Sequence, residues 1–189
     1  MDFNLSRYSK LVLLRTARNA ITAKLKQTER DKIEISEELN FNGGCFVTIN
    51  LRKRLRGCIG NFREDINIIE NVSEMAVQAA FSDPRFAPVS NDEFPQCELE
   101  ISVLSPMIPA KSEEIKTGRD GIYIIKGLNR GVLLPQVATE NDWDTETFLQ
   151  QTCIKAGLSP DSWMDKDTKI YRFEALVFSE DNLYNSEDK

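Results

Sequence analysis

The segment Cys97-Glu98-Leu99-Glu100-Ile101-Ser102-Val103 alternates apolar and polar side chains without a break. Successive side chains of a strand point to opposite faces, so this pattern fits a sheet with one buried and one polar face. Cys97, Leu99, Ile101 and Val103 are expected in a core. Glu98 and Glu100 are expected to face solvent or a cleft. Any fold for this chain must supply a layer that covers only one side of that strand.

Other segments supply such a layer. Leu11, Leu14, Ala17, Ile21 and Leu25 recur at helical spacing and predict a helix from about Leu5 to Gln27. Asp65 is placed to cap a second helix from Ile66 to Phe81, which should stop before Pro84. The charged stretch from Glu29 to Glu38 reads as a solvated connection. Gly44 to Ile49 and residues 53 to 59 read as strands joined through Asn50-Leu51-Arg52. The segments 122–126 and 132–134 bracket a hairpin turn at 127–131. Asp144 and Gly157 delimit a later helix, and Lys169 to Phe178 alternates with Tyr171, Phe173, Ala175 and Val177 on one side. Hairpin-like pairs outnumber strand-helix-strand units. That favours an α+β sandwich with a largely antiparallel sheet over a doubly wound nucleotide-binding fold.

Composition narrows the function classes. The chain of 189 residues suits one domain over residues 1–180, with a smaller subdomain around residues 53–95 and a frayed tail at 181–189. No apolar run is long enough to span a bilayer, and the N-terminus lacks a signal-peptide layout, so a cytoplasmic protein without a membrane partner is expected. The cysteines, Cys45, Cys58, Cys97 and Cys153, form no C-x-x-C pair. Histidine is absent, which removes the commonest general base and metal ligand, and no metal site is expected. No phosphate loop or dinucleotide fingerprint names a cofactor. A net charge of −6 opposes binding to nucleic acid, although Arg52-Lys53-Arg54-Leu55-Arg56 concentrates four cations in five residues.

The octapeptide Leu55-Arg56-Gly57-Cys58-Ile59-Gly60-Asn61-Phe62 follows directly. It sets a thiol between two glycines and beside a cation that favours thiolate and can fork to a carboxylate or phosphate. A regular strand would put Arg54, Arg56 and Cys58 on one face, an alternation that a bulge would break. This octapeptide resembles the signature of the AMMECR family. Phe81-Ser82-Asp83-Pro84-Arg85-Phe86, the strand Glu98 to Leu104, Gly131-Val132-Leu133-Leu134-Pro135-Gln136-Val137-Ala138, and Trp143 followed by Lys155-Ala156-Gly157-Leu158 resemble its further markers, in order along nearly the whole chain. The resemblance is to a prokaryotic-type single-domain member, with Asn61 where many relatives carry threonine. It implies two intimately packed α/β subdomains with the cysteine segment near a groove. Relatives encoded beside MEMO-type and radical SAM proteins make such proteins candidate partners.

Each candidate residue has two readings. Cys58 is a nucleophile, or a small residue where two segments pack. Glu98 and Glu100 are candidate bases in the absence of histidine, or solvated surface carboxylates. Arg56 and Arg85 clamp a small anionic ligand with Gly57 and Gly60 allowing close backbone approach, or pair with Asp83, Glu64 or Asp65 to hold loops together. Of the last two, structural pairing is favoured for Arg85. The leading expectation is an enzyme-like site at Cys58 acting on a small or peptide-borne anionic group. A non-catalytic adaptor module is the alternative, and nucleic-acid binding through Arg52 to Arg56 the third.

Overall fold

The computed structural model describes residues 3–184. They form two compact units, one from the described parts of Met1–Leu104 and Leu176–Lys189, the other from Ser105–Ala175. The fold is α+β, and all recorded strand pairs are antiparallel. Residues 53–95 belong to the larger unit. The smaller one lies at 105–175, because β-pairing and shared helices tie 53–95 to the strands around it.

In the larger unit, α1 (Arg7–Lys26) is followed by β1 (Cys45–Leu51), β2 (Arg54–Asn61), α2 (Ile68–Phe81) and β3 (Cys97–Leu104). The strands lie in the order β2-β1-β3. The alternation in β3 is realised from Cys97 to Ile101: Cys97, Leu99, Ile101 and Val103 are buried with Cys45, Val47 and Ile49 of β1, and Ser102, at the polar phase, is buried as well. Leu13, Leu14, Ala17 and Ile21 of α1 and Val72, Ala76 and Ala79 of α2 join the same core. One face of the sheet is thus covered by two helices, a two-layer arrangement that follows from the one-sided pattern of β3.

Three local expectations differ. Asp65 does not cap α2; the side chain of Asn67 accepts from the Ile69 N–H at 2.9 Å, while Asp65 pairs with Arg63. Starting the helix two residues later turns Ile68 into the core, where it is fully buried. The regular β2 alternation is broken by a bulge, because Ile49 pairs with Gly57 but Asn50 pairs with Leu55, leaving Arg56 without a β1 partner. At the C-terminal end, residues 181–184 are helical, and 185–189 lie outside the described residues.

In the smaller unit, β4 (Ile108–Pro109), β5 (Asp120–Lys126), β6 (Asn129–Leu133), α3 (Pro135–Glu140), α4 (Thr145–Lys155) and the first part of β7 (Lys169–Ser179) surround a core of Ile122, Ile124, Phe148, Leu149 and Cys153. Lys126 pairs directly with Asn129, so the hairpin loop is only Gly127-Leu128, tighter than the expected 127–131. Asp144 caps α4 through the Thr147 N–H at 2.8 Å, as expected. The single alternation expected along β7 changes phase: Phe173 is buried, but farther on Val177 is exposed and Phe178 buried. The residues after Ala175 belong to the other unit, whose core takes Leu176 and Phe178. A five-residue helix, α5 (Glu180–Tyr184), follows, its first residue held by Arg18 at 2.6 and 2.5 Å. No described helix is long and apolar enough to cross a membrane.

Candidate functional site

The octapeptide forms β2, the edge of the β2-β1-β3 sheet, and each of its conspicuous residues meets a specific neighbour. Gly57 faces α2. A Cβ built on it would stand 2.3 Å from the Ala79 carbonyl oxygen, so only glycine lets strand and helix close to this distance. A Cβ on Gly60 would stand 2.3 Å from the Phe46 ring, which lies over that position and packs edge-on against Phe62. Both glycines therefore admit protein, rather than the close approach of a ligand.

Arg56, displaced by the bulge, turns to the loop after α2. Its Nη2 lies 2.7 Å from Glu93 Oε1 and 3.4 Å from the Pro88 carbonyl, and the guanidinium stands 5.9 Å from the centre of the Phe86 ring. Its buried Nη1 makes no hydrogen bond among the described residues. The expected face shared by Arg56 and Cys58 does not form, because the bulge puts Leu55 opposite Asn50 in its place.

Arg85 is the cation at Cys58. Asp83 and Arg85 together grip the outward edge of the strand at that residue: the Cys58 N–H donates to Asp83 Oδ2 at 2.9 Å, and Arg85 Nη2 donates to the Cys58 carbonyl at 3.2 Å. Arg85 also forks onto Asp83, Nε to Oδ1 at 2.9 Å and Nη2 to Oδ2 at 2.7 Å. The Asp83 side chain is 2% exposed and that of Arg85 54%. The bond from Arg85, aided by the N–H groups of Cys58 and Arg85, outweighs burial and holds the Asp83 carboxyl well below the usual carboxylate range. An edge strand offers unpaired N–H and C=O groups, and this pair satisfies both of them at Cys58.

With its backbone engaged outward, Cys58 projects its side chain away from the helical layer. It registers on Thr48, and Thr48 on Glu100, giving a row of three residues across β2, β1 and β3. The Thr48 hydroxyl lies 3.3 Å from the Cys58 sulfur. Asn50 registers on Glu98 in the next row along the same face. Directly opposed residues have Cβ atoms about 4.5–5.5 Å apart, which sets Glu100 one side chain from Thr48. The structure therefore collects Cys58 and Glu100 in one row, puts Glu98 one row away, ties Arg56 to a loop, and brings Arg85 to the backbone of the cysteine. Thr48 was missed in the sequence. The signal was its place in Val47-Thr48-Ile49, where it interrupts an apolar strand at the polar phase.

The four thiols separate clearly. Cys58 is half-buried, whereas Cys45, Cys97 and Cys153 are buried, as their apolar faces implied. Burial, then the neighbouring Glu74, pushes the Cys45 thiol up to about 12. Burial also raises Cys97 and Cys153. Trp143 and Trp163 pack against the core of the smaller unit.

The chain is similar to known proteins over most of its length. The AMMECR1 family model matches residues 14–178. A protein of Methanothermobacter thermautotrophicus is 40% identical over 94% of this chain and 97% of its own length. One of Pyrococcus furiosus is 44% identical, with 89% of this chain and 87% of its own covered. The crystal structure of an uncharacterized Pyrococcus horikoshii protein superposes with a TM-score of 0.84 at 39% identity, covering 95% of both chains. The chain belongs to the AMMECR1 family.

Proposed function

We propose that Cys58 is the reacting group of an enzyme-like site on the open face of the β2-β1-β3 sheet, directed at a small or peptide-borne acyl group that carries a negative charge. The observation that carries this reading is the row Cys58, Thr48, Glu100, with the half-buried thiol 3.3 Å from a hydroxyl and a carboxylate-bearing residue beyond it. Without histidine, a hydroxyl between thiol and carboxylate is the available route for the proton.

In this scheme the Thr48 hydroxyl, which donates to the Cys58 sulfur at rest, turns to accept the Cys58 proton and passes its own to the Glu100 carboxylate. The sulfur attacks the carbonyl carbon of an activated acyl group, and a thioester forms as the bond to the leaving group breaks. The leaving group takes the proton back from Glu100. Arg85, half exposed at the cysteine backbone, orients the anionic end of the substrate. The shape of the site is held by Gly57 on α2 and by Asp83 on the strand edge.

p-Nitrophenyl succinate is a suitable probe, since it couples an activated acyl carbon to a carboxylate. The expected result is a burst of nitrophenol and a protein mass increased by one succinyl group, located on Cys58. Cys58→Ser abolishes both, and Glu100→Gln slows the burst at unchanged stability. Absence of any adduct on Cys58, under conditions where glutathione is acylated, contradicts the reading.

The adaptor reading has one observation in its favour. Gly57, Gly60 and Arg56 are all engaged in contacts within the protein, as expected of a rigid recognition surface. It predicts that Cys58→Ala leaves the protein's function in cells intact.

A further inference from the structure

We infer that the tip of the β1–β2 hairpin docks an acidic, leucine-bearing segment of a partner protein, an interaction that does not depend on the chemistry proposed for Cys58. Leu51 pairs with Arg54 across a loop of only Arg52 and Lys53, with φ of +53° and +62°. Two consecutive left-handed residues define the turn type that asparagine followed by glycine fills most readily. Arginine and lysine adopt that conformation at a cost, yet they occupy both positions of this turn. What these residues add, and Asn-Gly would not, is charge and reach.

The surroundings specify the chemistry of the partner. Leu51, Arg52, Arg54, Leu55 and Arg56 line a surface hollow of ≈ 530 Å³. Leu55 is 44% exposed beside these cations. Lys53 and Arg54 are exposed and have no ion-pair partner among the described residues, and Arg52 reaches only Gln96 at 3.4 Å. Arg56 is already matched by Glu93, so the free charge is that of the three residues at the tip. On a chain of net charge −6, such a local excess of positive charge selects an anionic partner through short-range contacts rather than through the field of the whole molecule. Leu55, exposed between Arg54 and Arg56, favours a ligand with apolar as well as acidic side chains. None of the five lining residues is aromatic, so the hollow offers no platform for stacking bases.

The test uses the full chain and a fluorescein-labelled peptide of glutamate and aspartate with two leucines, read by anisotropy at low and physiological salt. Binding with Kd on the order of micromolar is expected, weakening with salt. Arg52→Glu with Arg54→Glu should weaken it at least about tenfold, one charge contact each being worth several-fold. The decisive variant is Arg52→Asn with Lys53→Gly, which suits the turn. It should raise Tm by about 2–4 °C while weakening the peptide at least about threefold, a combination that misfolding cannot produce. Replacing both peptide leucines by serine should also weaken binding. The inference is overturned by no binding at low salt, by undiminished binding of the Asn-Gly variant or of the serine peptide, or by tighter binding of an oligothymidylate strand of equal charge.

Discussion

On one face of the β2-β1-β3 sheet, Cys45, Val47, Ile49, Leu99 and Ile101 are fully buried against α1 and α2. On the other, Thr48, Asn50, Cys58, Glu98 and Glu100 are each only partly buried. The same strands supply both sets, because the two-residue period divides them. The contrast is most direct between Cys45 and Cys58: one thiol is sealed in the core, the other contacts a hydroxyl on the opposite face. The core face fixes the backbone, and the polar face inherits that rigidity for a thiol that the core itself does not need.

Substitutions that strike the boundary between the faces should have the largest effect. Gly57→Ala drives a methyl group into the Ala79 carbonyl and should cost about 3 kcal/mol, read by urea unfolding. If it is tolerated with no change, the claim that Gly57 closes strand on helix fails. Next is Asp83→Asn, which weakens the grip on the strand edge at Cys58 and should cost about 2 kcal/mol. The same variant tests pH dependence. The Asp83 pKa is lower in the folded than in the unfolded chain, so its stabilisation is complete above about pH 4 and is lost as pH falls toward the folded value. The acid limb of the stability profile should be shallower for Asp83→Asn than for the native protein. An unchanged limb would remove Asp83 from the account.

The two faces can also be compared at matched chemistry. Cys45→Ser buries a hydroxyl in an apolar core and should cost about 1.5 kcal/mol. Cys58→Ser keeps a group able to bond Thr48 and should cost under about 0.5 kcal/mol. Equal losses would mean that Cys58 is simply another packing residue. The smallest contrast concerns α2, which covers the core face. Asn67→Ala should cost about 1 kcal/mol as loss of a helix cap. Asp65→Asn should cost nearly nothing, since its pair with Arg63 is exposed on both sides.

Much of this arrangement was legible in the sequence. The alternation of Cys97 to Val103 specified the buried face correctly, because local period and burial coincide there. The three core cysteines followed from the same reasoning. The contacts of the octapeptide did not. Arg56 was expected beside Cys58, and a bulge after Ile49 removes it, a feature set by tertiary pairing rather than by residue type. Arg85 was read as a structural partner of Asp83 and is one, but its bond to the Cys58 carbonyl depends on a loop returning to a strand edge 27 residues away. Asp65 and Asn67 are both good caps, and burial of Ile68 decides between them. Thr48 became a candidate only when register placed it between Cys58 and Glu100.

The central claim is that β2 presents the Cys58 thiol on the open face while the other three cysteines are enclosed. Site-resolved alkylation of the native protein by iodoacetamide, followed by mass spectrometry from pH 6 to pH 9, measures this directly. Buried thiols react only when the structure opens, so Cys58 should react at least about 100-fold faster than Cys45, Cys97 or Cys153. A Cys58 that reacts no faster than Cys97 across that range would contradict the account.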